Sequence, residues 1–315
     1  MATILVNYGV PPEGFRILKE AGHQILMPPS LEEYPREELL RLLPACDALV
    51  AAKAVDAEMI RTAVRLKLIA NYGAGYDSVD IAAAAARGIP VTNIPETVTE
   101  ATAELAFGLM LAVCRRIGEL NTRLREEPPE SIFGLGRNMG RSLRGMTLGI
   151  IGAGRIGSRM AEMARAFGMR VIGYSRHGAD PSVMEPVSLE EALTRSDVVS
   201  LHCPLTPETR GLINRERIAM MKPGAVLINT ARGPVVDEDA LCEALESGRL
   251  SGAGLDVYAD EPHISPRILA LKQAVLMPHM GTNTLQTRDI MAEACSRQIL
   301  DVLAGRRPEH IVNGV

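Results

Sequence analysis

Three stretches in the second half of the chain carry the residue types that acid–base and anion chemistry require, and each follows a short apolar run. Arg232 comes after Ile228-Asn229 in Asn229-Thr-Ala-Arg-Gly233, Asp256 closes a run and leads to Glu261 in Asp256-Val-Tyr-Ala-Asp-Glu-Pro262, and His279 follows Val275-Leu-Met-Pro278. A histidine titrates near neutral pH and transfers protons well when a carboxylate stabilises its imidazolium. An arginine offers a planar fork that holds a carboxylate through two hydrogen bonds. Taken singly, a charged residue at a strand end is most often half of a surface ion pair. At successive strand ends of one parallel sheet the three converge, because ligands of open α/β sheets lie beyond the carboxyl ends of the strands.

A second pattern says what such a site would work with. The apolar run Leu148-Gly-Ile-Ile breaks into Gly152-x-Gly154-x-x-Gly157, followed by an amphipathic segment (Ile156, Met160, Met163, Ala164, Phe167), a helix stop at Gly168 and a second strand at 170–174. Gly152 permits the tight turn, Gly154 lets a pyrophosphate approach the backbone, and Gly157 lets helix and strand pack closely, with free amides of the helix start aimed at the phosphates. That context specifies a dinucleotide. Reduction of a 2-keto acid by hydride needs a proton donor for the carbonyl oxygen and a fixed cation for the carboxylate, the roles open to His279 with Glu261 and to Arg232. An NAD site normally ends its second strand with an acidic residue for the ribose 2′-hydroxyl. Here that place reads Tyr174-Ser-Arg-His177. With Ser175 in place of the acid and Arg176 after it, repulsion of a 2′-phosphate is gone, so NADP(H) is the expected cofactor and NAD(H) a possible one.

The elements that must position these groups alternate along the chain. Strand-like runs at 4–7, 48–51, 68–71 and 90–92 are separated by helical patterns at 14–21, 35–42, 57–64 and 81–87, which predicts βαβ units and a parallel sheet. A connector with a proline and a capping pattern (residues 93–100) enters one long helix, expected from about 99 to 125, and residues 126–145 read as an extended loop. Six further strands are expected at 147–151, 170–174, 198–201, 225–229, 252–256 and 275–277, and a last helix at 285–304. The fold class is therefore α/β, with two Rossmann-like or flavodoxin-like domains of doubly wound parallel sheets. The economical topology makes 1–98 and 284–315 a substrate-binding domain into which a dinucleotide-binding domain, 99–283, is inserted.

Composition bounds the rest. With 47% hydrophobic and 23% charged residues and a formal net charge of -4, the 315-residue chain has neither the bias of a disordered protein nor a basic stripe for nucleic acid. No apolar run approaches membrane-spanning length, and the opening Met1-Ala-Thr-Ile-Leu-Val reads as a strand, so the expected compartment is the cytoplasm with no membrane partner. The five widely spaced cysteines read as buried thiols, with no metal site and no disulfide framework. His202 reads as a structural or cofactor-loop histidine, His177 and His263 as solvated, and the many methionines as core filling.

Beyond the glycine turn, Asn229-Thr-Ala-Arg-Gly-Pro-Val-Val-Asp-Glu238, Gly254-Leu-Asp-Val-Tyr-Ala-Asp-Glu-Pro262, Met277-Pro-His-Met-Gly281, Asn71-Tyr-Gly-Ala-Gly-Tyr-Asp-Ser-Val-Asp80, Val91-Thr-Asn-Ile-Pro-Glu96 and Thr102-Ala-Glu-Leu-Ala106 together resemble the D-isomer-specific 2-hydroxyacid dehydrogenases, over essentially the whole chain. The similarity is greatest to the glyoxylate and hydroxypyruvate reductase branch. It implies that His279 is the general acid and base, Glu261 its partner, and Arg232 the cation that binds the substrate carboxylate and polarises the carbonyl. The Ala74 and Gly75 amides would clamp that carboxylate in a cleft between the domains. Thr102, Gly152, Gly154, Arg155, Ile156, Gly157, Ser175, Arg176, Cys203, Pro204, Thr209, Thr230, Ala231, Asp256 and Gly281 would surround the dinucleotide. The resemblance also implies a homodimer built through the helix at 99–125 and the loop at 126–145. Other substrates stay open: 2-ketogluconate, a branched or aryl 2-keto acid, or phosphoglycerate. A dinucleotide-sensing binding protein without catalysis is the reading from a different class. Met280 stands where many relatives carry isoleucine.

Overall fold

The computed structural model describes residues 1–315 and divides into two compact units, one formed by Met1–Val98 with Thr282–Val315 and the other by Thr99–Gly281. In the first unit the strands β1 (Thr3–Val6), β2 (Gln24–Leu26), β3 (Ala48–Ala51), β4 (Leu68–Asn71) and β5 (Val91–Thr92) form a parallel sheet in the order β2-β1-β3-β4-β5. Ile4, Leu5, Val6, Leu49, Val50, Ile69 and Ala70 are buried, as the unalternating apolar runs require of strands covered on both faces. The apolar runs predict four strands here. The fifth, Gln24–Leu26, lies at the sheet edge with one exposed and two half-buried residues, so it carries no continuous apolar run. At the β1/β3 crossover, where the strand order reverses, Asn7 closes the crevice. Its Oδ1 accepts from the Ala52 and Lys53 amides (2.8 and 3.1 Å) and its Nδ2 donates to the Lys53 carbonyl.

The last helix, Leu285–Leu303, returns to this first unit and packs on β4 and on the turn at Glu13–Phe15. A Cβ on Gly14 would lie 2.4 Å from the Asp289 carbonyl oxygen, so the approach requires glycine. The tail then covers the β5 edge. The Val312 amide donates to the Val91 carbonyl at 2.8 Å, and Asn313 bonds both the Val91 amide and the Ile89 carbonyl. An edge strand covered in this way offers no free ladder to another chain.

In the second unit β6 (Thr147–Ile151), β7 (Arg170–Tyr174), β8 (Glu185–Pro186), β9 (Val198–Leu201), β10 (Ala225–Asn229), β11 (Leu250–Leu255) and β12 (Ala274–Leu276) form a parallel sheet in the order β12-β11-β10-β9-β6-β7-β8. This is the doubly wound dinucleotide order with a seventh strand added, and its switch point lies between β6 and β9. The sequence predicts six of these strands. The one it does not announce, β8, is a two-residue exposed edge strand whose Glu-Pro sequence has no strand signature.

The single helix expected over 99–125 is two, Thr99–Cys114 and Ile117–Glu126. Arg116 between them adopts a left-handed conformation (φ +55°), and its guanidinium is clasped by Glu119 at 2.8 and 2.6 Å. The carbonyl of Cys114 is taken by the Arg141 amide at 2.8 Å, so a residue distant in sequence ends the first helix. Within 126–145, expected to be wholly extended, Pro129–Ile132 forms one helical turn. No helix of the chain is long and apolar enough to cross a membrane.

Candidate active site

The glycine turn of β6 has the geometry a dinucleotide demands. Gly152 sits at φ +102°, and a Cβ there would meet the Cys203 amide nitrogen at 2.5 Å. A Cβ on Gly157 would lie 2.3 Å from the Gly152 carbonyl oxygen, which locks the helix Arg155–Ala166 against the strand. Above Gly154, in contrast, nothing lies within 4 Å, and as the helix N-cap it leaves the Arg155 and Ile156 end without a side-chain cap. The helix start thus carries no side-chain cap, and space is open above Gly154, as an anion site needs. In the same sheet, just after β10, Thr230 Oγ1 is buried and has no hydrogen-bond partner in the protein, an arrangement that a polar ligand completes. The residues present therefore fit a dinucleotide.

The loop after β9 frames the same edge. Thr209 Oγ1 donates to the Pro204 carbonyl at 2.6 Å and accepts from the Thr206 amide at 2.8 Å, which folds the loop into a tight turn. Burial raises the Cys203 thiol to about 11, so it is not a thiolate nucleophile at neutral pH. Beyond β7, Ser175 accepts from the Gly178 amide through its carbonyl, and Arg176 is exposed. Glu208 is held below its ordinary pKa by the Thr206 hydroxyl at 2.7 Å, with the Arg176 charge as a smaller contribution.

Downstream, the loops after β10, β11 and β12 build the acid–base group. Asn229 shapes the first: its Oδ1 accepts from the Ala231 amide and its Nδ2 donates to the Arg232 carbonyl, both at 3.0 Å. Arg232 Nη1 donates to the Ala231 carbonyl at 2.8 Å, which sets the direction of the fork. A Cβ on Gly233 would lie 1.9 Å from the Tyr258 carbonyl, so this loop and the one after β11 touch through backbone alone. Glu261 accepts from the Tyr258 amide at 2.9 Å through Oε1 and meets His279 Nδ1 at 2.6 Å through Oε2. Burial opposes ionisation of Glu261, but the His279 hydrogen bond, the His279 charge, the Tyr258 amide and the Arg232 charge outweigh it and hold its carboxyl below the ordinary value. Nδ1 thus being committed to Glu261, Nε2 is the nitrogen left for proton exchange, on a side chain that is half exposed.

His279 itself is held in an unusual posture. Its φ is +57°, a conformation that costs a β-carbon residue energy unless its surroundings enforce it. Asp256 does so. Its carbonyl accepts from the His279 amide at 2.9 Å, Oδ1 from Met280 at 2.6 Å and Oδ2 from Gly281 at 2.8 Å. The resemblance places Asp256 at the dinucleotide; in the structure it is buried, and its carboxylate oxygens accept from the Met280 and Gly281 amides. Gly281 also lies beside Thr102, whose Oγ1 would be 3.5 Å from a Cβ there. Sequence reasoning does not single out Asn229, Gly233 or Tyr258. The only signal for them is their place within the motifs that carry Arg232 and Glu261.

In the first unit, the loop after β4 is built around two asparagines. Asn71 Nδ2 donates to the Gly73 and Gly75 carbonyls at 2.9 Å each, and Asn93 Nδ2 to the Ala74 carbonyl at 2.8 Å. These bonds engage the carbonyls of the loop and leave the amides of Ala74 and Gly75 for other acceptors. No group of three or more His, Cys, Asp or Glu side chains gathers where a metal could be held, and all five cysteines are free thiols.

A parallel sheet with a phosphate cradle at its switch point, and an acid–base pair and an arginine at the ends of later strands, characterises a dinucleotide-dependent oxidoreductase. The family model for the D-isomer specific 2-hydroxyacid dehydrogenase, NAD binding domain, matches residues 107–281, and the chain belongs to this family. A glyoxylate reductase of Thermococcus litoralis is 41% identical over 319 residues, covering 98% of this chain and 96% of the relative. Among solved structures, a protein of Thermus thermophilus superposes with a TM-score of 0.90 at 42% identity, covering 98% of this chain and 99% of that one. An NADPH-dependent glyoxylate/hydroxypyruvate reductase of Sinorhizobium meliloti, solved with NADP and malonate, has a TM-score of 0.87 at 28% identity and covers 99% of this chain and 96% of its own. The protein is thus an NAD(P)-dependent dehydrogenase that interconverts a keto acid and a hydroxy acid.

Proposed function

We propose that this protein reduces a small 2-keto acid of the glyoxylate or hydroxypyruvate type to the D-2-hydroxy acid, with NADPH as the preferred reductant and His279 as the proton donor. The observation that carries this reading is the 2.6 Å contact between Glu261 and His279 Nδ1, on a backbone that Asp256 holds at φ +57°. The reduced dinucleotide supplies the hydride that becomes the new C–H bond at the keto carbon. His279 Nε2 gives its proton to the carbonyl oxygen, Glu261 stabilises the imidazolium before that transfer, and the exposed ring regains a proton from solvent. Arg232 takes the substrate carboxylate, and the Ala74 and Gly75 amides are proposed as further carboxylate donors. A panel of 2-keto acids assayed with both reduced cofactors tests the reading. Turnover highest with 2-ketogluconate or an aryl keto acid replaces the substrate assignment, and tight dinucleotide binding without turnover of any keto acid favours the sensor.

The cofactor preference rests on Ser175 and Arg176 at the end of β7, and the relative solved with NADP supports a family site able to take the 2′-phosphate. The expected result is a kcat/KM for NADPH about tenfold or more above that for NADH, with Ser175→Asp reversing the order by restoring a carboxylate that repels the 2′-phosphate. Initial rates with each cofactor measure both, and an NADH preference in the unmodified enzyme defeats the assignment.

A homodimer is proposed from the apolar side chains on one stretch of the second unit. Ile117, Leu124, Phe133, Leu135 and Met139 are all exposed, with Leu135 fully so, a density of apolar surface that a soluble monomer rarely leaves uncovered. Light scattering on the eluting protein should give twice the 33.9 kDa chain mass, and Leu135→Glu with Met139→Glu should shift it towards the monomer. A monomer at micromolar concentration removes the proposal.

A further inference from the structure

The second unit contains buried side-chain polar atoms that the protein itself leaves without a partner: His202 Nδ1, Thr230 Oγ1 and Arg249 Nη1. The first two are neighbours in the sheet. The register pairs Leu201 of β9 with Asn229 of β10, so the next residues at the carboxyl ends of these strands are His202 and Thr230. Arg249 lies before β11, at the opposite end of the sheet, with its other amino group on the Ala219 carbonyl. Leaving a buried polar atom unpaired costs stability, because it has lost its bond to water and gained none. Two such atoms side by side at a ligand-binding strand edge are therefore an unfinished site.

The surroundings of His202 fix what that site can receive. Burial pushes its pKa down to about 4, so the ring is neutral at physiological pH and carries one N–H. Nε2 lies 2.9 Å from Ser200 Oγ and 3.2 Å from Met160 Sδ, and Ser200 Oγ also lies 3.2 Å from that sulfur. A thioether only accepts. Both contacts are satisfied when Nε2–H donates to Ser200 Oγ and the Ser200 hydroxyl donates to Met160 Sδ. The opposite tautomer would set the Nε2 lone pair against the sulfur. The proton therefore sits on Nε2, and Nδ1 presents a bare lone pair that requires an O–H or N–H donor.

We propose that His202 Nδ1 and Thr230 Oγ1 form a paired polar subsite for the dinucleotide, in which Nδ1 accepts a hydrogen bond from a ribose hydroxyl. A pyrophosphate offers no proton to such an acceptor. The riboses that flank it do, and His202 borders the glycine turn closely, its carbonyl carbon 2.6 Å from where a Cβ on Gly152 would stand. The proposal rests on the dinucleotide-binding assignment and not on the preference for NADP(H), because both cofactors carry the nicotinamide ribose hydroxyls and the adenosine 3′-hydroxyl. It gives His202 a task that its buried, uncharged ring would otherwise conceal.

Two amides separate the nitrogens. The side chain of His202→Asn keeps a polar atom near the Nδ1 position, whereas that of His202→Gln keeps one near Nε2 and loses the other. Dissociation constants for NADPH and NADH, measured by titration calorimetry, should rise about tenfold for both cofactors in His202→Gln, with their ratio unchanged, and stay within about threefold in His202→Asn. An unchanged affinity in His202→Gln, or equal losses in the two variants, overturns the subsite. A change in the NADPH to NADH ratio would instead implicate the 2′-phosphate end and also count against it. Nitrogen NMR of the unmodified protein gives an independent reading that does not depend on the variants folding. The expected spectrum has the proton on Nε2 with and without dinucleotide and an Nδ1 resonance that moves upfield on binding; a proton on Nδ1, or an Nδ1 resonance that binding leaves in place, refutes the assignment.

Discussion

His279→Ala is expected to lower kcat by about 10³-fold while the dissociation constant for the reduced dinucleotide stays within about twofold of its original value. The hydrogen bond of the His279 ring is to Glu261. Its Nδ1 is committed to Glu261, and its backbone is held by Asp256 whatever the side chain. Truncation therefore removes the proposed proton donor and leaves the glycine turn intact. The residual rate reflects hydride transfer with water as the acid. Stopped-flow binding together with steady-state turnover separates the two quantities; a kcat within tenfold of the original would show that another group protonates the carbonyl.

The same pair predicts the pH behaviour. Glu261 has its carboxyl held below 4.5, so in the folded protein it stays ionised to more acid pH than in the unfolded chain. The stability it contributes is complete above pH 4.5 and is lost as the pH falls through its depressed folded value. The acid limb of kcat/KM that belongs to this carboxylate consequently lies below pH 4.5. Glu261→Gln keeps an oxygen for the Nδ1 proton but no charge, and should cost about 100-fold in kcat and abolish that limb. In contrast, Asp256→Asn is expected to act through posture: one of its two acceptor oxygens becomes an amide nitrogen facing an N–H, which releases the φ +57° conformation of His279.

How far the site is legible depends on whether a residue's task is written in its own surroundings. The glycine turn is readable because turn, backbone approach and helix packing each demand glycine at a set spacing, and the structure shows contacts of 2.3 and 2.5 Å at Gly157 and Gly152 where a side chain would intrude. The buried strands of both sheets are readable from continuous apolar runs, whereas Gln24–Leu26 and Glu185–Pro186 are not, since an edge strand of two or three residues need bury nothing. The break at Arg116 depends on the Arg141 amide, far beyond it along the chain, so no local propensity announces it. Asp256 shows the limit most clearly. A carboxylate at the end of a strand looks the same in sequence whether or not backbone amides bond to it, and only the return of residues 279–281 to that strand end shows that they do. His202 is the converse, since its missing partner emerges only when the surroundings of each ring nitrogen are known.

Arg232 is expected to show the second large effect, and the form of the loss distinguishes its role from that of His279. Its carbonyl is fixed by Asn229 and its Nη1 by the Ala231 carbonyl, so the guanidinium is oriented before any substrate arrives. A fork held in this way can present two parallel N–H groups to a carboxylate, a pairing that an ammonium cannot copy. Arg232→Lys should therefore lower kcat/KM by about 100-fold, chiefly through KM, and Arg232→Ala by about 10³-fold, the loss of one and then both parts of a charge-assisted pair worth roughly 3–4 kcal/mol. The Glu261 carboxyl should respond as well. The Arg232 charge helps to hold it down, so in Arg232→Ala the acid limb of kcat/KM moves to higher pH. Guanidinium ion added to Arg232→Ala should recover part of the lost rate without altering dinucleotide affinity, since it restores the fork and nothing else. A substrate KM that is insensitive to all three changes would place the carboxylate anchor elsewhere and leave Arg232 as a support for Glu261 alone.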